Sequence, residues 1–201
     1  FQDQTVPEIL EAVLGSYGHP LELKLSRSYR TWNYCVQYGE DDFAFVSRLC
    51  EHEGTYFFFR HEAEQHVLVF ADDVASSHGP LPGGETVRYH PHEKAGMTGG
   101  LEPSERITEW QQADEIRSGH HYRDHFDFEH PRADLSSLRQ MPPGHDHDAL
   151  EQYEWPGDYT RHQDGEGYAR IRNEEQLSER SRGRGRSNLG ERATGYTMRQ
   201  T

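Results

Sequence analysis

The chain has 201 residues, a formal net charge of −14 and a hydrophobic content of only 32%. A chain this acidic repels the phosphate backbone of nucleic acids, so we do not expect a nucleic acid partner. It also repels anionic membrane surfaces, so we expect no stable membrane insertion. No apolar run approaches the roughly 18 residues that a membrane-spanning helix needs. The opening FQDQTVPEIL has neither a secretory signal pattern nor an initiator Met, so we expect a piece of a longer protein made in the cytoplasm.

Large apolar residues are concentrated near the start of the chain. Leu, Ile, Val and Phe are frequent over residues 1–75 and sparse over residues 76–201. The first part can therefore drive collapse by burying apolar surface, whereas the rest must depend on that part, on missing sequence or on partner subunits. We accordingly expect a helix/strand/helix/hairpin core at 1–77, a loop or linker at 78–100, and strands, a polar helix and a truncated final strand at 101–201.

The first predicted helix has its start signal in the sequence. Thr5 and Glu8 form a Thr-x-x-Glu capping box, and Gly15 and Gly18 end the apolar stripe that follows. Leu residues then alternate with charged residues over 21–25, which predicts a half-buried strand. The apolar residues of Tyr-Cys-Val-Gln-Tyr, at positions 34, 36 and 38, predict a second strand.

A second helix and a hairpin complete this part. Asp41 or Asp42 caps the helix, and Gly54 ends it. The predicted apolar face comprises Phe43, Phe45, Val46, Leu49 and Cys50. Segments 55–59 and 67–70 are apolar on both faces and flank a polar turn, which predicts a hairpin of buried strands.

The remainder of the chain is polar, with shorter predicted elements. Strands are expected at 107–111 and 122–128, a second loop at 131–148, and a polar helix from Gly165 to about Arg180. The Arg-Gly segment 178–187 has glutamates just upstream. We therefore interpret it as a solvated turn rather than an RNA-binding arm.

Histidine is the residue type that most suggests chemistry, because 14 histidines occur. His90 and His92 form one His-x-His pair, and His145 and His147 form another, beside two aspartates. Imidazole and carboxylate ligands suit zinc or nickel. No third ligand can be assigned, so a metal-dependent hydrolase that uses these loops is retained only as an alternative.

The helical His-Glu-x-x-His zinc pattern begins twice and fails both times. Tyr56 stands where the second histidine after His52 is needed. After His61, Gln65 occupies that position and His66 comes one residue late, in the predicted hairpin turn. Two ligands on one helical face require a four-residue spacing, so neither start predicts a metalloprotease site.

The remaining candidate groups have structural explanations. Cys35 and Cys50 lie in predicted apolar positions, where a free Cys acts as a small buried hydrophobe. The pairs Asp41–Asp42 and Asp72–Asp73 suit helix caps and turns. The chain contains no nucleophile elbow, Walker loop or dinucleotide fingerprint. We assign no catalytic, cofactor-binding or metal residue.

The segment 34–59, YCVQYGEDDFAFVSRLCEHEGTYFFF, resembles a family signature. The signature runs Y-x-V-Q-Y-x-E-S-D-F-x-F-V-x-R-L-x-E-E-E-G-I-x-Y-x-F and belongs to the hub of VgrG spike proteins and the late control protein D family of contractile phage tails. Asp41, His52 and Thr55 replace the commoner Ser, Glu and Ile. Asp41 can still cap a helix, so the departures leave the architecture intact.

Other family elements are similar and follow in the expected order. The FQDQTVPEIL opening matches the family's F-Q-x-Q-T-V-P-x-I-I, and Phe126–Phe128 with Pro131 resembles Y-D-F-x-x-P. Segment 153–159, YEWPGDY, is similar to Y-x-Y-P-G-x-Y. The resemblance implies an α+β, mainly β fold with phage tail-hub type β-barrel-like modules and flanking helices.

The resemblance also implies a role. Such hubs are structural and without catalytic residues or cofactors, and adapt the inner tube of a contractile injection machine to a trimeric spike for effector delivery. The implied partners are two further copies of the chain, the inner-tube ring, the spike tip and secreted effectors. A bacterial protein of this kind is assembled in the cytoplasm without a signal peptide and leaves through the machine. An effector-docking module is the other alternative.

Overall fold

The computed structural model describes residues 1–79, 88–89, 106–142, 144–187 and 190–194. The chain divides into two compact units, Phe1–Gly79 and Pro80–Thr201. Both combine helices with sheets, so the mixed, mainly β class is confirmed. No sheet closes into a barrel, and no helix is long and apolar enough to cross a membrane, among the described residues. The division of a hub into segments 1–77, 78–100 and 101–201 stays a prediction.

The first unit packs helices against a three-stranded sheet. Its elements are β1 (Gln4–Thr5), α1 (Val6–Leu14), β2 (Leu21–Lys24), β3 (Thr31–Trp32), α2 (Asp42–Glu53), β4 (Tyr56–His61), β5 (His66–Ala71) and α3 (Val74–Ser77). β5 is central, antiparallel to β4 and parallel to β2. β1 and β3 form a separate antiparallel pair. The predicted hairpin is therefore confirmed, as are both long helices.

The first helix begins as its capping box predicts. The Glu8 carboxylate accepts hydrogen bonds from the Thr5 backbone nitrogen at 2.7 Å and the Thr5 hydroxyl at 2.8 Å. At the other end, Gly15 keeps right-handed helical geometry and a 3-10 turn continues to Tyr17. Only Gly18 adopts the left-handed conformation, at φ 65°, because it is the residue that reverses the chain.

The second helix is capped by Asp41 rather than Asp42. The Asp41 Oδ1 atom accepts from the Ala44 backbone nitrogen at 2.7 Å, and Gly54 is left-handed at φ 66° after the last turn. Both ends of α2 thus satisfy backbone groups that a helix alone leaves unpaired.

Replacing this cap should weaken the first unit measurably. Asp41→Ala is expected to lower the free energy of unfolding by about 1 kcal/mol, since one backbone donor of α2 loses its acceptor. Urea denaturation measures the change. Asp41→Ser is the matched control and should stay near the unsubstituted value, because a serine hydroxyl can also cap. Equal losses for both variants would contradict the capping role.

The core of the first unit lies between the two long helices and the sheet. Its buried residues are Val6, Ile9, Leu10, Val13, Cys35, Phe45, Val46, Leu49, Cys50 and Phe70. The prediction that Phe43 joins this face is wrong: its side chain is 68% exposed. The buried positions of α2 follow the spacing 45, 46, 49, 50, 53, and position 43 falls outside that stripe. Phe59, on the edge strand β4, is likewise exposed.

The predicted strand at 34–38 is also wrong. The segment belongs to no ladder among the described residues, and its alternation is inverted. Cys35 is 5% exposed, whereas Tyr38 is 89% exposed. The backbone of Cys35 exchanges hydrogen bonds with Phe1, at 2.9 Å and 2.8 Å. That exchange turns the small thiol inward, and the larger side chains of the segment therefore face outward.

The second unit contains two further sheets and one long helix. Its elements are β6 (Arg88–Tyr89), β7 (Arg106–Asp114), β8 (His120–Arg123), β9 (Ser137–Gln140), β10 (Glu151–Glu154), α4 (His162–Arg180), β11 (Ser181–Ser187) and β12 (Gly190–Thr194). The sheet orders are β10-β8-β9, with β8 parallel to β10, and β12-β11-β7-β6. The strand expected at 122–128 ends at Arg123, and the loop expected at 131–148 contains β9.

Polar groups share the core of the second unit. Within the described residues, its apolar cluster comprises Leu135, Tyr159, Tyr168 and Ile171. The buried Arg123 guanidinium pairs with Glu154 at 2.8 Å and lies 5.4 Å from the Tyr168 ring centre. Burial lowers the pKa of Arg123 and of the neighbouring His121, although Glu154 opposes both shifts. This composition agrees with the scarcity of large apolar residues after position 75.

The Arg-Gly segment is a strand, which corrects the predicted solvated turn. β11 pairs with β7 on one side and β12 on the other. A Cβ atom on Gly183 would lie 2.6 Å from the Trp110 ring, and one on Gly185 would lie 3.2 Å from it. Glycine at alternate positions therefore leaves one face flat for the indole, while the intervening arginines 182, 184 and 186 are exposed.

Candidate interaction surface

The first unit carries an open groove of about 690 Å³. Aliphatic and aromatic side chains line most of it, namely Leu14, Tyr17, Pro20, Leu21, Phe43, Val46, Phe57, Phe59, Leu68 and Phe70. Its polar lining consists of His19, Asp42, His61, Gln65 and His66. This surface, called the apolar groove below, brings together residues from α1, α2 and the β4–β5 hairpin.

Aromatic rings connect the apolar groove to the core. Phe43 meets Phe57 edge to face at 6.1 Å, and Phe57 lies 5.6 Å from the buried Phe70. At the surface end, Tyr17, Phe43 and Phe59 are all exposed. Aromatic side chains held on a rigid base supply much of the contact energy in protein interfaces. The apolar groove is therefore suited to bind an apolar segment of another protein.

A polar bridge joins the 3-10 turn after α1 to the first residue of α2 beside the groove. The Tyr17 hydroxyl donates to one Asp42 oxygen at 2.6 Å, and the Gln37 amide donates to the other at 2.7 Å. These bonds lower the pKa of Asp42, and the bond to Asp42 raises the pKa of Tyr17. Both carboxylate oxygens are engaged, so the bridge positions the helices and leaves Asp42 poorly placed as a general base.

The exposed side of the Tyr34–Tyr38 segment is a second apolar feature of the first unit. Tyr34, Val36 and Tyr38 occupy alternate positions and are all exposed, whereas Cys35 between two of them is buried. A partner protein can recognise alternate exposed side chains of this kind through a row of pockets. We call these three residues the tyrosine strip.

In the second unit, both sequence elements that resemble the family follow neighbouring parallel strands. Phe126 and Phe128 come after β8, whereas Trp155 directly follows β10. All three aromatic side chains are exposed. Because β8 and β10 are parallel neighbours, the two elements lie side by side at the carboxyl ends of these strands.

The YEWPGDY element has an architectural basis. The Tyr159 hydroxyl is buried and donates to the Leu135 carbonyl at 2.6 Å. The Gly157 backbone nitrogen donates to the Asp124 carbonyl at 2.9 Å. A Cβ atom at position 157 would lie 2.3 Å from the Tyr159 ring, so glycine is required for this close approach. The element locks the loop after β10 against the loop after β8.

The predicted histidine pairs do not form a site among the described residues. His90 and His92 lie outside them. The His145 Nε2 atom contacts the Arg117 carbonyl oxygen at 3.1 Å, and its Nδ1 atom accepts from the His147 backbone nitrogen at 3.2 Å. Both ring nitrogens of His145 are thus engaged within the turn. The metal-dependent hydrolase alternative finds no support in the described part of the chain.

Two groupings of potential ligands were not expected from the sequence. Asp127, Glu129 and His130 share one turn, where His130 Nδ1 lies 2.8 Å from Asp127. That contact lowers the pKa of Asp127 and raises the pKa of His130. His61 and His66 face each other across the β4–β5 hairpin. The predicted hairpin is the signal that could have revealed this second pairing, because residues on either side of a hairpin turn lie opposite each other, but the prediction placed both histidines inside the turn.

Neither cysteine has the environment of a nucleophile. Cys35 and Cys50 are free and buried, and burial raises the pKa of both thiols. A thiolate is the reactive form, and a reactive cysteine has a lowered pKa. The structural interpretation of both residues is therefore retained.

Comparisons with known proteins agree with these features. A family profile described as phage tail baseplate hub (GPD) matches residues 1–200. The type VI secretion system spike protein VgrG1b of Pseudomonas aeruginosa is 41% identical over 192 residues. The match covers 93% of this chain and 25% of that protein, so the chain spans about a quarter of the length of this curated relative.

Two solved structures share the fold. One is the E. coli c3393 protein, described as a type VI secretion component similar in structure to the T4 tail proteins gp27 and gp5. It has a TM-score of 0.54 and 24% identity, covering 93% of this chain and 36% of that one. The other is the 43 kDa tail protein of prophage MuSo2 from Shewanella oneidensis. It has a TM-score of 0.55 and 10% identity, covering 92% of this chain and 48% of that one. The predicted phage tail-hub type of fold is thus confirmed.

Proposed function

Since the chain belongs to the phage tail baseplate hub (GPD) family, we propose that it is the hub portion of a type VI secretion spike. In this role it adapts the inner tube to a trimeric spike that delivers effectors. Its work is mechanical and involves no catalysis. The spike is assembled in the bacterial cytoplasm and leaves the cell through the injection machine.

The apolar groove is the observation that best supports an assembling role. A subunit that acts alone gains nothing from leaving Phe43 and Phe59 exposed beside a cavity lined by other aromatic rings, whereas a subunit in a ring can cover them. The polar groups beside the groove are engaged in structural bonds, as at Asp42. The tyrosine strip adds apolar area in the same unit. These features favour contact with protein over turnover of a substrate.

We propose that the partners across these surfaces are two further copies of the chain and the inner-tube ring. Interfaces of stable assemblies place aromatic anchors at the centre and polar residues around them. The apolar groove combines such aromatic residues with a smaller polar part of its lining that includes histidines and Asp42. Contacts with the spike tip and with secreted effectors would involve other parts of the full-length protein.

Assembly in solution tests the proposal. The full-length protein that contains this chain should sediment as a trimer, and Phe43→Ser with Phe59→Ser should shift it towards monomer at low micromolar concentration. Both side chains are exposed, so the variant should fold normally. The matched control is Ile116→Ser, an exposed apolar residue of the second unit, which should leave the trimer intact. A monomeric full-length protein would contradict the hub role itself. If the double variant remained a trimer, the apolar groove would not be part of the interface between subunits.

A further inference from the structure

The tip of the β4–β5 hairpin brings two imidazole rings together beside the apolar groove. His61 and His66 are directly opposite in the antiparallel register, and their Nδ1 atoms lie 2.7 Å apart. The ring planes meet at 82°. Both side chains are exposed, so burial does not force the contact. We propose that His61 and His66 form a chelating site for a divalent transition metal ion such as Zn²⁺.

Two imidazole nitrogens come this close only with a proton or a cation between them. A neutral imidazole has one N–H donor and one acceptor nitrogen, so without metal one ring donates from Nδ1 to the other. A metal ion replaces that proton and accepts a lone pair from each Nδ1 atom. The ring that donated then carries its proton on Nε2. Two N–metal bonds form, one hydrogen bond is lost, and two neutral rings release no proton.

The hairpin holds the rings near the required distance before any ion arrives. Two Zn–N bonds of about 2.05 Å at a tetrahedral angle separate the nitrogens by about 3.3 Å. Opening the 2.7 Å contact by about 0.6 Å needs only rotation of two exposed side chains. The backbone is fixed by the ladder and by the bond from Glu62 nitrogen to Gln65 oxygen, at 2.9 Å. Such preorganisation lowers the entropic cost of binding.

The charges around the hairpin tip favour a cation. The turn between the two rings contains Glu62 and Glu64. The nearby base, Arg60, is paired with Glu22 at 2.5 Å and with Glu62 at 3.0 Å. Glu22 also lies 3.9 Å from Lys24, and Glu64 adds a further carboxylate in the turn. Three carboxylates against these two cations leave the surroundings negative, which raises the local concentration of a divalent ion. With two protein ligands, the ion keeps positions open to water.

Metal binding at this place would stiffen one wall of the apolar groove. The ion joins β4 to β5 at the end of the hairpin where the ladder stops, and both histidines line the groove. A ligand that binds only the folded protein also raises its stability. The site can therefore be tested without reference to assembly, and its failure would leave the hub proposal untouched.

Calorimetric titration with Zn²⁺ is the direct experiment. The unsubstituted protein should show one saturable site, and His61→Asn or His66→Asn should each weaken its binding about tenfold or more, because the chelate becomes a single ligand. The matched control changes His145 and His147 to Asn, which removes the His-x-His pair of the second unit's described residues and should leave the affinity unchanged. Unaltered binding in the hairpin variants, or lost binding in the control, would overturn the site.

Imidazole NMR signals of the unsubstituted protein provide a second measurement that does not depend on the folding of a variant. Zn²⁺ should shift the ring signals of His61 and His66 together and at equal metal concentration. Added Zn²⁺ should raise the Tm of the unsubstituted protein and should raise the Tm of His61→Asn much less. Shifts confined to other histidines, or no saturable binding at all, would refute the proposal.

Discussion

Replacing Phe45 by alanine should lower the free energy of unfolding of the first unit by about 3–5 kcal/mol, the largest effect we expect from a single substitution. The Phe45 side chain is 0% exposed and lies at the centre of the core between α1, α2 and the sheet. Its ring stacks on Phe1 at 5.7 Å. Truncation removes the transfer energy of the ring and leaves a cavity that the surrounding helices can only partly fill.

The neighbouring Phe43 provides the control for this prediction. It lies on the same helix, two positions earlier, but its side chain faces the apolar groove and solvent. Phe43→Ala should therefore change the free energy of unfolding by less than about 1 kcal/mol. Urea titration monitored by the hydrogen exchange of peptides from α2 and β5 measures the unfolding of the first unit specifically. Similar losses for the two variants would contradict the described orientation of α2.

The second large effect is expected at Asp72. Its side chain is 0% exposed and accepts hydrogen bonds from the Ser26 and Arg27 backbone nitrogens, each at 2.9 Å, and from the Tyr29 hydroxyl at 3.0 Å. Asp72→Asn keeps the volume but places an NH₂ group against these donors. We expect the free energy of unfolding to fall by roughly 2–4 kcal/mol, since the donors are left unpaired.

The same carboxylate makes stability depend on pH. Burial alone would raise the pKa of Asp72, but the hydrogen bonds from Ser26, Arg27 and Tyr29 lower it to about 2, from an ordinary 3.8. The folded state therefore favours the ionised form. The resulting stabilisation, roughly 2 kcal/mol, is present above about pH 4 and is lost as the pH falls through 2. The difference in free energy of unfolding between the unsubstituted protein and Asp72→Asn should become smaller as the pH is lowered from about 4 to about 2.

Asp73 is the matched control for Asp72. It is the next residue, and its carboxylate caps α3 by accepting from the Ser76 backbone nitrogen at 2.8 Å. Asp73→Asn should cost at most about 1 kcal/mol, because asparagine is also a good cap. A loss at Asp73 equal to that at Asp72, or an Asp72→Asn variant as stable as the unsubstituted protein at pH 7, would refute the account.

Features determined by neighbouring residues could be predicted from the sequence. The caps of α1 and α2, the turn at Gly54 and the β4–β5 hairpin all depend on residues a few positions apart. The cap role of Asp73 is of the same kind, whereas the partners of Asp72 lie more than forty positions earlier in the chain. No local pattern distinguishes these two adjacent carboxylates.

Features determined by distant contacts could not be predicted. The inversion of the Tyr34–Tyr38 segment depends on a backbone exchange with Phe1. The Arg-Gly strand depends on Trp110, whose ring needs the space that Gly183 and Gly185 leave free. The apolar groove likewise combines residues from α1, α2 and the hairpin. In the sequence, each of its apolar residues has the pattern of an ordinary core position.

The parallel pairing of β2 with β5 has a consequence for how the first unit folds. β4 and β5 are joined by a short turn, and such hairpins form in about 1–10 μs. Leu21 must instead find Leu68 across a stretch of chain that includes all of α2. Closing that loop costs conformational entropy before any stabilising contact forms, so β2 should be the last strand to join the sheet. Until then, one side of β5 is a free edge on which a nascent chain could pair wrongly with its neighbours.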